Sequence, residues 1–131
     1  MQNEPAWLPP DEVININREA VAATSEPHLV FSRPLLESAL GKPTNHWSYG
    51  EEDVIVLAVH LLLGIARNHP FEQGNKRTAF TSAVMFLNIN GYALDAPDSD
   101  DLGELVRRVI IGEISEQRFI AILRPFVTPL P

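Results

Sequence analysis

The stretch Val54 to Ala66, VIVLAVHLLLGIA, is apolar around its whole circumference when wound as an α-helix. Such a helix has no face to give to water, so other segments must cover it on every side, and the remaining chain is read as that cover. Ser48, with Glu51 three residues on, has the capping-box pattern, and Glu51, Glu52 and Asp53 place negative charge in the first turn; together they predict a helix from Ser48 to Arg67. Its most apolar run, Val54 to Leu63, is interrupted by His60 and falls well short of the roughly 20 residues that span a bilayer. The helix is therefore expected in the centre of a protein core.

The flanking segments read as further helices. Met1 to Leu8 is an irregular lead-in, and Pro9 and Pro10, followed by Asp11 and Glu12, start a helix that runs to about Ala23 with Val13, Ile16, Ala20 and Val21 on its apolar side and Ile14 adjacent. Thr24 to Phe31 is a connector. Ser32 predicts the cap of a short helix, Arg33 to Leu40, which Gly41 ends, leaving Gly41 to Trp47 as a mobile loop. Arg77 to Asn90 carries Phe80, Val84 and Leu87 on one stripe and is closed by Gly91. Tyr92 to Asp98 is a connector with room for a short strand, and a helix from about Ser99 to Ile111 follows, acidic at its start and holding Arg107 and Arg108 near its end. Gly112 breaks it. The last helix, about Glu116 to Leu123, is capped by Ser115 and stopped by Pro125. The expected fold class is all-α, an orthogonal helical bundle with residues 1–131 as a single domain and a central helix hairpin that presents a loop.

Charge and composition exclude several functions. A net charge of -7 and a pI near 5.0 argue against a general nucleic-acid binder, which needs a basic face. The absence of cysteine removes disulfides, thiolate nucleophiles and zinc-thiolate sites. MQNEPAWLPPDE lacks the cationic and apolar regions of a signal peptide, so a cytoplasmic protein without membrane partners is expected.

The chemistry concentrates in the loop of the hairpin, Asn68 to Phe80, NHPFEQGNKRTAF. His69 can accept a proton near neutral pH, although a lone histidine is more often structural. Pro70 and Phe71 read as anchors, one stiffening the turn and the other plugging into the core. Gly74 permits a positive φ or a close backbone approach, and the amides at the start of the next helix form a natural anion site. Asn75, Lys76 and Arg77 add an amide, a point charge and a bidentate fork at that terminus. Cations there oppose the helix dipole, which a bound anion would explain; a solvated basic turn is the alternative reading.

The segment HPFEQGNKR closely resembles the motif of the Fic/Doc family, His-x-Phe-x-(Asp/Glu)-(Gly/Ala)-Asn-(Gly/Lys)-Arg, and the lysine at its eighth position matches the Doc (death-on-curing toxin) branch. LLESALGKP at Leu35 to Pro43, LLLGIARNHPFEQGNKRTAF and FLNINGYAL at Phe86 to Leu94 resemble further blocks of Doc-type toxins, so that the likeness covers roughly Leu8 to Phe126. The family implies the same all-helical fold. It also implies transfer from ATP to a hydroxyl of a protein: Fic proteins transfer the AMP part, and Doc toxins phosphorylate a threonine of elongation factor Tu and stop translation.

Carried over by position, the resemblance makes His69 the base, with Lys76 and Arg77 beside it as catalytic groups. Phe71, Gly74, Asn75, Lys76 and Arg77 would form the ATP-binding set. Phe80 stands where Fic adenylyltransferases usually have a second arginine, and Lys76 fills space that a glycine would leave open; both features favour phosphoryl over adenylyl transfer. Gln73 occupies the position of the acid that binds magnesium, and a neutral amide is a poorer ligand for that ion, which keeps a nucleotide- or partner-binding module in view beside the enzyme. The family's inhibitory pattern finds only SYGEED, Ser48 to Asp53, which lacks the final Gly or Asn. Restraint by a separate antitoxin with a C-terminal inhibitory segment is the expected partnership.

Overall fold

A computed structural model describes residues 3–96 and 100–131. Six α-helices follow in order: α1 (Pro10–Ala23), α2 (Arg33–Ser48), α3 (Val54–Asn68), α4 (Asn75–Ile89), α5 (Asp100–Ile110) and α6 (Glu116–Leu123). The all-α class is borne out. Met1 in the lead-in, Asp98 at the end of the connector and Ser99 at the helix start lie outside the described residues. The short strand anticipated after α4 is β1 (Tyr92–Leu94), and it pairs antiparallel with β2 (Val127–Pro129), Ala93 opposite Thr128. That partner had no signal in the sequence, because a three-residue strand is specified by the neighbour it meets.

The apolar helix is the central one. Leu57, Val59, Leu61, Leu62 and Ile65 of α3 are fully buried, against Leu36 of α2, Phe86 of α4, Val109 of α5 and Phe119 of α6. Trp7 of the lead-in stacks on Phe86 with ring centroids 5.8 Å apart. Lead-in and α4 are also tied by Asn90, whose carboxamide accepts from the Ala6 amide and donates to the Ala6 carbonyl. His60, the polar break in the run, turns to α2 and stacks on His46 at 3.6 Å. Burial, and next the charge of His46, hold the His60 imidazole below its usual range. Among the described residues no helix is long and apolar enough to cross a membrane.

Two boundaries differ from expectation. The helix expected to stop at Gly41 continues to Ser48, through Pro43, so there is no loop over Gly41 to Trp47. Gly41 is not among the residues of positive φ. The interior proline removes the hydrogen bond to the Ala39 carbonyl, a defect that costs about 3 kcal/mol in an exposed helix. Here the ring is buried, and α3 packs against the freed carbonyl: a Cβ on Gly64 would stand 3.0 Å from Ala39 O. Close approach of α2 and α3 thus uses Pro43 and Gly64. The start of α3 shifts in turn. Ser48 belongs to the last turn of α2, where its hydroxyl donates to Thr44 O, and the cap of α3 is Asp53, which accepts from the Ile55 amide at 2.9 Å. Glu51 accepts from the Asp53 amide, so the acids serve a helix that begins later than the capping-box pattern suggests.

Candidate active site

The hairpin loop between α3 and α4 is His69 to Gly74, shorter than the spacing of the expected helices implied, because α3 runs on to Asn68 and α4 begins at Asn75. His69 caps α3 in the left-handed region, φ 49 and ψ 56, its amide still donating to Ile65 O. A non-glycine residue there is strained by on the order of 1 kcal/mol. The turn throws the imidazole outward: His69 is exposed, and its ring has no hydrogen-bond partner among the described residues.

The loop is clamped from both sides. Pro70 O accepts from the amides of Phe31 and Ser32, Val30 and Phe71 form an antiparallel bridge, and the Glu72 amide donates to Leu29 O. Phe71 is 2 % exposed and fills the core beneath, as its reading as an anchor required. Asn75 closes the turn from within, accepting from the Phe71 amide at 3.0 Å and donating to the Phe71 carbonyl at 2.7 Å. Its carboxamide is therefore committed to loop shape, and what Asn75 presents outward is its place in the first turn of α4. Gly74 precedes that turn at φ 75, with no side chain capping the helix. Any Cβ at Gly74 would meet Val21 Cγ1 at 3.0 Å, so both conformation and space demand glycine.

The cations divide. Lys76 is exposed and makes no ion pair among the described residues. Arg77 is engaged: its guanidinium donates to Ala20 O at 3.0 Å and to the Thr24 hydroxyl at 2.9 Å, and it pairs with Glu26. Although Arg77 opposes the dipole of α4, it faces the carbonyl end of α1, where a cation is favourable. A bound anion is therefore not needed to account for it, contrary to the expectation from sequence. Hydrogen bonds from Thr24, and then from Arg77, hold the Glu26 carboxyl below the usual carboxylate range. Glu26 occupies the guanidinium that a phosphate would seek. Glu26→Gln is expected to raise affinity for a triphosphate about two- to fivefold by titration calorimetry; an unchanged affinity would show that phosphate does not reach Arg77.

Gln73 is exposed, and its side chain has no hydrogen-bond partner among the described residues. Magnesium favours carboxylate oxygen, whereas position 73 supplies a neutral amide next to an exposed Glu72. No group of three or more His, Cys, Asp and Glu among the described residues is placed to hold a metal ion. The residues present do not fit a dedicated magnesium site.

Sequence reasoning missed the α1 side of this arrangement: Asn17, Thr24, Glu26 and His28. Asn17 is 0 % exposed and contacts Gln73 O, the Thr78 hydroxyl and the His28 ring. A signal existed. Asn17 falls between Val13 and Val21 on the buried face of α1, where an unexplained polar residue needs a partner.

In this all-helical bundle the central hairpin thus exposes an imidazole before a glycine-started, cation-bearing helix. A family model described as the Fic/DOC family matches residues 7–87, and the chain belongs to that family. It is 36% identical over 80 residues to a protein named protein kinase doc, from Escherichia phage P1, covering 60% of this chain and 62% of the relative. It is 40% identical over 79 residues to a protein named toxin Doc, from Mycolicibacterium smegmatis, covering 57% of this chain and 60% of the relative. The match thus spans about three fifths of the length of each relative.

Proposed function

We propose that this protein is a Doc-like toxin that transfers the γ-phosphoryl group of ATP to a hydroxyl of a protein substrate. The observation that carries the reading is the unpartnered imidazole of His69, held outward by a left-handed turn, six residues before the uncapped start of α4 at Asn75. In the proposed step the His69 ring takes the proton of the hydroxyl while its oxygen attacks the γ-phosphorus. The bond from that phosphorus to the β,γ-bridging oxygen breaks, and ADP leaves with the electron pair. Lys76, the first amides of α4 and Arg77, once released from Glu26, offset the charge on the phosphates.

A macromolecular acceptor suits the surroundings. Leu29 and Phe31, 51% and 71% exposed, stand on the segment bonded to the loop, and Leu35 in the first turn of α2 is exposed as well. The names of the relatives, protein kinase doc and toxin Doc, support a kinase and a toxin; an antitoxin partner, and elongation factor Tu as the target to try first, are what the resemblance of the motif to Doc toxins implies. Ser48 to Asp53, the segment nearest to the family's inhibitory pattern, joins α2 to α3 and caps α3, which favours restraint by a separate chain.

The test is transfer from ATP labelled at the γ- or the α-phosphate to elongation factor Tu, with the parent and Gln73→Asp. Label from the γ-phosphate alone, increased in Gln73→Asp when magnesium is present by about tenfold or more, is the expected result. Label from the α-phosphate would instead establish adenylyl transfer. Binding of ATP without transfer in either protein would establish the second reading, a nucleotide-binding module, which the neutral Gln73 favours.

A further inference from the structure

Asn17 is a fully buried polar side chain beside the loop and has no part in the chemistry proposed above. Its orientation follows from elementary hydrogen-bond chemistry. Gln73 O carries no hydrogen, so the Asn17 atom 2.8 Å from it is the amide nitrogen, which also donates to the Thr78 hydroxyl at 3.0 Å. Oδ1 then faces His28 Nδ1 at 2.8 Å, and only an N–H can meet it there. In a neutral His28 ring, then, the proton sits on Nδ1. One amide thus joins α1, the loop, the first turn of α4 and the connector.

We propose that Asn17 is a positioning residue of the loop: its buried carboxamide draws the Gln73 carbonyl and Thr78 under α1 and so sets the turn from which the first amides of α4 face a phosphate. The role in phosphate binding rests on the function proposed above. Gln73 O has no other hydrogen-bond partner among the described residues. Without the Asn17 donor, the carbonyl must turn to water, and Gly74 leaves its close seat on α1, where an added Cβ would stand 3.3 Å from Asn17 Nδ2. The second tie of the site to α1, through Arg77, then no longer acts on a loop of fixed shape.

Two variants and one spectroscopic signature test this. Long-range 1H–15N correlation on the parent should show His28 protonated at Nδ1, and Asn17→Leu should abolish that tautomer. Asn17→Asp keeps an acceptor for His28 but loses the donor to Gln73 O, so the tautomer should persist while the amide resonances of Gly74 and Asn75 move. Both variants should lose about tenfold in affinity for inorganic triphosphate. A loss in the Asp variant alone would be a charge effect and would overturn the proposal. So would His28 protonated at Nε2 in the parent, or unmoved loop resonances in folded Asn17→Asp. The tautomer and resonances are read without ligand, so a parent that bound no triphosphate would overturn the functional reading while these measurements still judged the hold of Asn17 on the loop.

Discussion

His69→Ala is expected to lower phosphoryl transfer by about 10²–10⁴-fold, the range over which a positioned general base acts. The expectation rests on exposure and isolation. The ring contributes no hydrogen bond to the fold among the described residues, so its removal takes away a proton acceptor and little else. Thermal unfolding should move by no more than about 2 °C, as for other surface substitutions. Affinity for ATP should also hold, because the phosphate-directed groups lie on α4. Single-turnover transfer of labelled phosphate, read beside calorimetric binding, separates the two effects. A variant that bound ATP and transferred at the parental rate would place the base elsewhere.

Phe71→Ala should act in the opposite way, destabilising the whole protein by about 3–5 kcal/mol. Its ring is 2 % exposed and belongs to the central core, while its backbone carries the Val30 bridge, donates to Asn75 Oδ1 and accepts from Asn75 Nδ2. Removing the ring leaves a cavity under the loop and frees a point where core packing and loop shape meet. Against a typical stability of 5–15 kcal/mol, roughly, the loss is large, and urea unfolding should show it as a lowered midpoint. ATP binding should weaken even below the unfolding transition. Stability within about 1 kcal/mol of the parent would mean that the loop is held by its hydrogen bonds alone.

The fold was legible where a segment's partners are generic. An all-apolar helix must be central, whatever covers it, and α3 is; α1, α4, α5 and α6 followed from their caps and stripes to within a turn. Reading failed where a local rule met a particular neighbour. Gly41 and Pro43 are breakers in isolation, yet α2 runs through both, because buried packing of Pro43 and the seat of Gly64 on Ala39 O outweigh the lost hydrogen bond. Ser48 and Glu51 form a capping box on paper, but Ser48 was already taken by α2 and Asp53 is the cap.

By itself, the sequence determined the helical class, the central place of Val54 to Ala66 and a loop whose residues resemble a known family, since apolar periodicity and a contiguous motif are local properties of the chain. Only the tertiary structure decided which loop groups are free. Among the described residues the His69 ring has no hydrogen-bond partner and Lys76 no ion pair, whereas Asn75 is bound to Phe71, Arg77 is held by Ala20, Thr24 and Glu26, and Asn17 reaches across from α1 to hold Gln73. These contacts join residues more than fifty positions apart, apart from that of Asn75, and a hydrogen bond between distant residues leaves no periodicity for a sequence to display.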